Sequence, residues 1–292
     1  TVLSDLVDLI VVLGAERELP AVRSLYKPRT TTLPERPKKF GVVALADGSC
    51  GFFFAGLDDT LLRLDACDPD QFTERATLDL VKNCLGTDPL STAVGLGVLN
   101  AVSQHLLKTS GFELDRATDP LGRLDLAKAH HVGMVGFFSP LIKVWGNYPG
   151  KLTVIERDPQ FLKRSGPFEV TDQTDRLRSC DRVLITGSTL INDTLDDVLS
   201  HCDPNAQVAL VGPSACCLPD PIFERGVDVV GSTMVSDLPQ LMTLLEAGEP
   251  WHRGTTKYCI TRDQYPGIGK LIQAPEIAPG FLLTGRVWHP KI

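Results

Sequence analysis

The chain has 292 residues, of which 43% are hydrophobic and 22% charged, and its formal net charge is −7. These fractions are typical of globular proteins and argue against disorder, and no apolar run approaches the roughly 20 residues that a bilayer span requires. The acidic balance, with no marked cluster of Lys and Arg, argues against nucleic acid as the main partner.

Length and cysteine content bear on domain number and compartment. A chain of this length is long for one hydrophobic core and predicts two domains. The eight cysteines are dispersed and include no CxxC pair, a usage typical of buried, reduced thiols in a cytoplasmic protein. Residues 1–14 are apolar at helical spacing but are interrupted by Asp5 and Asp8, so they predict an amphipathic helix rather than a signal peptide.

Residues 1–115 predict a small α+β domain. Asp47-Gly48-Ser49 separates two apolar runs and predicts a β-hairpin, because Asp-Gly supplies the positive φ angles of a tight turn. Asp88-Pro89 is a helix start, and the helix it opens is apolar nearly all round, as buried helices are. The predicted elements are a helix over 1–14, a loop or edge strand over 27–34, hairpin strands over 40–46 and 51–55, and helices over 71–84 and 90–108.

A polar connector over residues 111–129 marks the predicted domain boundary. Beyond it, short Val/Ile/Leu runs alternate with helical segments, which predicts a parallel sheet buried on both faces in a Rossmann-like α/β domain over 130–248. The predicted strands are 131–138, 152–156, 181–186, 206–211 and 227–231, with helices over 140–145, 192–201, 219–224 and 238–246. Residues 249–292 show no period and are predicted as an irregular extension.

Ligands of open parallel sheets bind at the carboxyl ends of the strands, so the residues that follow each strand are candidates. Gly136, Phe137 and Ser139 follow the first run in a G-x-x-G spacing, which is weak as a dinucleotide fingerprint and is equally typical of a plain tight turn. Glu156 comes 20 residues after Gly136, where a ribose-binding carboxylate is expected, although a solvated surface Glu is the alternative.

The third and fourth strands are followed by polar turns. Helix capping explains one or two of the polar groups after the third strand, and their number favours a ligand-facing loop. The fourth turn contains two adjacent thiols, Cys216 and Cys217, which are candidate metal ligands, although neighbouring cysteines do not easily face one tetrahedral ion. The remaining candidates in these turns are Thr186, Gly187, Ser188, Thr189, Asn192, Thr194, Gly212 and Ser214.

These segments resemble a family of prokaryotic proteins of unknown function described as putative heavy-metal chelation proteins. The residues that carry the resemblance lie in 132–138, 181–195, 212–214 and 226–235, within a match over about 3–246. The resemblance implies an enolase-amino-terminal-like domain followed by a Rossmann-like domain, with a site in the crevice between them. The residues it implies there are Asn100 from the first domain and Glu156, Thr186, Gly187, Thr189, Asn192 and Ser214 from the second. Cys216-Cys217 and the segment after Trp251 lie outside the resemblance.

Three functional hypotheses follow. The first is binding or handling of a transition metal or metal chelate in the interdomain crevice. The second is an enzyme that uses a nucleotide-like cofactor, S-adenosylmethionine or NAD, at the strand ends. The third is a subunit whose crevice holds a partner's loop. The ligand is thus expected to be a small molecule or metal, with a homo-oligomer left open.

Overall fold

The computed structural model describes residues 1–28, 39–73, 75–118 and 123–273. The strands in these ranges are β1 (Val22–Tyr26), β2 (Phe40–Leu45), β3 (Cys50–Phe54), β4 (His131–Val135), β5 (Lys151–Ile155), β6 (Glu169–Thr171), β7 (Arg182–Thr186), β8 (Gln207–Val211), β9 (Val229–Val235) and β10 (Thr255–Thr261). The α-helices are α1 (Val2–Glu16), α2 (Thr60–Ala66), α3 (Asp70–Thr73), α4 (Thr77–Lys82), α5 (Pro89–Thr109), α6 (Ser139–Val144), α7 (Pro159–Leu162), α8 (Leu195–Ser200), α9 (Asp220–Glu224), α10 (Leu238–Glu246) and α11 (Ile268–Gln273).

The first three strands form an antiparallel sheet in the order β1-β2-β3. The predicted hairpin joins β2 to β3, and Ala44 pairs with Cys50 across it. Gly48 has a φ angle of +85°, and Asp47 accepts hydrogen bonds from the backbone and hydroxyl of Ser49 at 3.0 and 2.7 Å. The turn chemistry that the sequence indicated is therefore confirmed.

Helix α5 packs against β3 at the centre of this first part. Asp88 caps it as predicted, accepting a hydrogen bond from the Ser91 backbone nitrogen at 2.9 Å. A Cβ atom on Gly51 of β3 would stand 2.2 Å from the Ala101 backbone nitrogen, so strand and helix touch backbone to backbone. By length and composition α5 could cross a bilayer, but 89% of its apolar window is buried inside the fold, as in a core helix.

The larger sheet has seven strands in the order β10-β9-β8-β7-β4-β5-β6. Strands β4 to β9 are mutually parallel, and β10 pairs antiparallel with the edge strand β9. The chain adds β5 and β6 on one side of β4, then returns to add β7, β8 and β9 on the other. The predicted α/β class with a mainly parallel sheet is therefore confirmed, and the reversal between β4 and β7 opens a crevice at their carboxyl ends.

One hydrophobic core joins the two sheets. Its buried members run from Val2 in α1 to Ile268 in α11 and include much of α5. A second cluster, around the fully buried Trp145, covers the other face of the large sheet. At the surface, Arg225 forms ion pairs with Asp5 of α1 and with Asp196 of α8. The first part is thus held to the large sheet by packing as well as by charge.

The structure differs from the sequence expectations in several segments. Residues 71–84, expected as one helix, form α3, α4 and a 3-10 turn over Asn83–Leu85. Strands β1 and β6 had no apolar run long enough to identify them. The extension expected to be irregular contains a 3-10 turn over Trp251–Gly254, strand β10 and helix α11. Strand β10 forms because pairing with β9 satisfies its backbone hydrogen-bonding groups. Of the predicted loops, 29–34 and 119–122 lie outside the described residues, as do 274–292.

Candidate functional site

A cleft of about 1090 Å³ opens at the carboxyl ends of the parallel strands. The turns after β4, β5, β7 and β8 form its floor together with residues 231–233 of β9, while the β2–β3 layer and residues 250–257 form the opposite wall. Of the thirteen residues predicted to bind a ligand, all but Asn100 line this cleft, namely Gly136, Phe137, Ser139, Glu156, Thr186, Gly187, Ser188, Thr189, Asn192, Thr194, Gly212 and Ser214. Sheet topology has brought together turns that are distant in sequence.

The turn after β4 carries an aromatic platform. Gly136 has a φ angle of +88° and donates its backbone N–H to the Ile155 carbonyl at 2.9 Å, so the chain leaves the sheet abruptly. The ring of Phe137 then stacks on Phe161 with a centroid distance of 4.7 Å, and the Arg164 guanidinium lies 5.2 Å from the Phe137 centroid. This arrangement offers a flat apolar surface beside a cation, which suits a planar ligand.

Glu156 follows β5 on the same side of the cleft. Its Oε1 atom accepts hydrogen bonds from the backbone nitrogens of Arg157 at 2.8 Å and Asp158 at 3.2 Å. Asp158 in turn caps α7 through the Gln160 nitrogen at 2.9 Å. One oxygen of Glu156 therefore stabilises its own turn, which orients the carboxylate at the cleft.

The hydroxyl-rich turn after β7 is bonded largely to itself. The Thr186 and Ser188 hydroxyl oxygens lie 3.1 Å apart, and the Thr189 hydroxyl donates to the Thr186 carbonyl at 2.7 Å. The Thr194 hydroxyl donates to Oδ1 of the exposed Asn192 at 2.7 Å. The residues line the cleft as expected, but much of their bonding capacity fixes the 3-10 turn over Gly187–Leu190.

Two buried polar side chains lie beneath this floor. Asn100 of α5 is fully buried, and its Nδ2 donates to the carbonyls of Phe52 at 2.7 Å and Ser214 at 2.9 Å. Asn100 therefore lies behind the cleft and holds its floor in place. Ser214 lines the cleft, and its buried hydroxyl has no hydrogen-bond partner among the described residues.

The two candidate metal ligands lie in the interior. Cys216 and Cys217 are both fully buried and outside the lining of the cleft. Burial raises the pKa of Cys216 to about 12 and also raises that of Cys217, which disfavours the thiolate that a metal needs. In the described part of the chain, no group of three or more His, Cys, Asp or Glu side chains could hold a metal ion. The donor set therefore does not fit a directly coordinated metal.

Comparison with known proteins adds a family assignment. Residues 119–262 match the model of the family DUF364, described as "Putative heavy-metal chelation". This match covers just under half of the chain. The family resemblance is thereby confirmed, and the match extends through β10, beyond the limit near residue 246 that the sequence suggested.

Three proteins similar to this chain are described as uncharacterised or of unknown function. A protein of Methanocaldococcus jannaschii is 30% identical over 160 residues, which make up 54% of this chain and 60% of that protein. Crystal structures of DUF364 proteins of unknown function from Pyrococcus horikoshii and Desulfitobacterium hafniense each have a TM-score of 0.65 and 17% identity. Each covers 89% of this chain, and they share its fold.

The wall opposite the strand ends was not predicted from the sequence. It consists of Lys39, Phe40 and Phe54 from the β2–β3 layer together with Trp251, His252 and Lys257 around the start of β10. Trp251 packs against Phe52 and Phe40 with centroid distances of 4.8 and 6.0 Å. Lys39 lies next to the strand run that begins at Phe40, but no pattern in the sequence connects residues 39 and 251.

Proposed function

We propose that the protein binds a small organic molecule, and a transition metal only as part of an organic chelate, in the cleft at the strand ends. The observation that carries this proposal is the lining of the cleft, which combines aromatic rings with hydroxyls and, among the described residues, offers a metal ion no group of three or more His, Cys, Asp or Glu ligands. A volume of about 1090 Å³ is at the upper end of ordinary small-molecule sites. Such a ligand would bring its own donor atoms.

A thermal unfolding series tests this proposal. The probes are 1,10-phenanthroline, its nickel complex and nickel chloride alone. We expect stabilisation by the planar chelator or its complex, of about 5–10 °C at a concentration near one hundred times Kd, and none by the free ion. Phe161→Ala, which removes one ring of the platform, should reduce the shift. Tyr148→Ala is the control, since Tyr148 stacks on Trp145 before β5, at the opposite end of the strands.

Two results would count against this assignment. Stabilisation by nickel chloride alone, with no response to either organic probe, would return the function to direct metal binding. A response that Tyr148→Ala reduces as much as Phe161→Ala would mean that the probes bind elsewhere. Native mass spectrometry of protein purified without added chelator would then show what the cleft carries from the cell.

The second candidate is a nucleotide-like cofactor, S-adenosylmethionine or NAD. It is favoured by the strand order of the six parallel strands, which is the doubly wound Rossmann order when they are numbered from β4. Gly136 at the end of β4 and Glu156 at the end of β5 then occupy the positions of the close-approach glycine and the ribose-binding acid. If a nucleotide binds, Glu156→Ala should abolish the thermal shift that it produces, and an unchanged shift argues against this assignment.

The proposal extends to the location of the protein, the type of its first part and the class of its ligand. A cytoplasmic location is supported by the eight cysteines, all of which are free thiols. The enolase-amino-terminal-like label for the first part rests on the family resemblance. A small-molecule ligand rather than nucleic acid or membrane is supported by the acidic charge and the buried α5.

A further inference from the structure

We propose that the wall of the cleft opposite the strand ends is a second subsite, specific for a planar carboxylate. The subsite is defined by Lys39, Phe54, Trp251, His252 and Lys257, and is called the basic aromatic subsite below. The inference rests on the proposed function, because it assigns chemistry to one end of the same cleft. It goes further by naming the charge and shape of the group bound there.

Position separates this subsite from the platform of Phe137 and Phe161. Glu156 follows β5, whereas Lys257 lies in β10, five strand spacings across the sheet. Neighbouring strands lie about 4.8 Å apart, so the two ends of the cleft are separated by about 24 Å. One compact ligand cannot contact both ends at once. The cleft therefore takes an extended ligand or two separate ones.

Charge differs between the two ends. Among the described residues that line the cleft, the carboxylates are Glu156 and Asp158, and both follow β5. The lining side chains that can carry charge at the opposite wall, Lys39, Lys257 and His252, are all basic. Lys257 already has an interaction partner in the protein, so Lys39 is the principal cation of the subsite. A cleft wall with one sign of charge and apolar surroundings focuses its field and attracts the opposite charge. The basic aromatic subsite therefore favours an anion, whereas the Glu156 end presents both signs of charge, because Arg157 lines the cleft there and Arg164 lies against Phe137.

Ring geometry defines the shape of that anion. The Lys39 ammonium lies 5.8 Å from the centroid of Phe54, while Phe40 packs between Phe54 and Trp251 with centroid distances of 5.3 and 6.0 Å. Cation and rings thus lie side by side on one continuous surface. A flat unsaturated acid can place its ring on the aromatic side chains and its carboxylate on Lys39. A compact inorganic anion would contact the charged side chains but would leave the aromatic rings uncovered.

Tryptophan fluorescence tests the proposal directly, with pyridine-2,6-dicarboxylate as the anionic probe and pyridine-2,6-dicarboxamide as its neutral analogue. We expect the dicarboxylate to quench Trp251 and the neutral diamide to bind at least tenfold more weakly. Trp251→Phe should remove the quenching and thereby assign it, because the variant keeps the other two tryptophans of the chain, Trp145 and Trp288. Lys39→Gln should raise the Kd for the dicarboxylate about tenfold or more, and Lys39→Arg should preserve binding within about threefold.

Two controls accompany these variants. The first separates the loss of the Lys39 charge from a general effect of removing a lysine, and the second separates failure of the basic aromatic subsite from failure of the proposed function. Lys82→Gln removes an exposed lysine on α4 and should leave the Kd unchanged. Lys39→Gln should also leave unchanged the thermal shift produced by phenanthroline, which reports on the ring platform. Wild-type protein that fails to bind the dicarboxylate, or a Lys39→Gln variant that binds it as tightly as wild type, overturns the basic aromatic subsite. The phenanthroline series then still decides the proposed function.

Discussion

Replacing Gln104 should weaken the attachment of α5 to the floor of the cleft. Gln104 is 8% exposed, and its Nε2 donates to the Cys216 carbonyl at 2.8 Å and the Tyr258 hydroxyl at 2.9 Å. Gln104→Ala removes both hydrogen bonds and leaves their buried acceptors without this donor. Because each buried polar group that loses its partner costs about 1–3 kcal/mol, we expect the free energy of unfolding to fall by about 2–4 kcal/mol.

Urea denaturation followed by circular dichroism measures this change. The matched control is Gln71→Ala, in which an exposed glutamine loses a hydrogen bond to the Asp68 carbonyl of the same length, 2.8 Å. That change should stay within about 0.5 kcal/mol. A double-mutant cycle with Tyr258→Phe should show a coupling of about 1 kcal/mol, because Gln104 and Tyr258 share a bond. A loss below 0.5 kcal/mol in Gln104→Ala, or a zero coupling, would refute the reasoning.

Three further predictions concern the fold. Gly51→Ala should prevent or severely weaken folding, seen as loss of the cooperative thermal transition, because its Cβ would meet the α5 backbone at 2.2 Å. Hydrogen bonds from Ser91 and Arg63 lower the pKa of Asp88 from 3.8 to about 2, so the stabilisation from this carboxylate is complete above pH 4 and is lost as the pH falls towards 2. When the free energy of unfolding is measured against pH, the fall in stability towards pH 2 should be smaller in Asp88→Ala than in the wild type, because the variant lacks this carboxylate. Iodoacetamide at pH 8 should modify the partly exposed Cys67 before the buried Cys216, as peptide mass spectrometry can show.

The strand ends could be predicted because their chemistry is local. A buried Val/Ile/Leu run that stops at a glycine or hydroxyl residue marks both the strand and the turn after it. That is why Gly136 and Thr186, fifty residues apart in the sequence, were both placed at one edge of the sheet. The hairpin at Gly48 and the cap at Asp88 were predictable for the same reason. Each needs only three or four consecutive residues.

The other half of the cleft could not be predicted because it depends on long-range packing. Trp251 belongs to a segment with no hydrophobic period, and it reaches the cleft only because β10 pairs antiparallel with β9. Asn100 was expected to contact the ligand, but its side chain is used to hold the Phe52 and Ser214 carbonyls. Composition likewise could not show that Thr186 and Ser188 bond to each other.

The hydrophobic core shared by the two sheets fixes the two walls of the cleft relative to each other. Domains that move relative to each other normally meet through modest, rather polar interfaces. Here α5 and the turn over Pro213–Ala215 belong to one hydrophobic core, and Asn100 and Gln104 add buried hydrogen bonds between them. The β2–β3 wall is therefore fixed relative to the strand ends before any ligand binds. A ligand would then be selected by the side chains that these walls present, with aromatic rings at both ends, basic groups at one end and both signs of charge at the other.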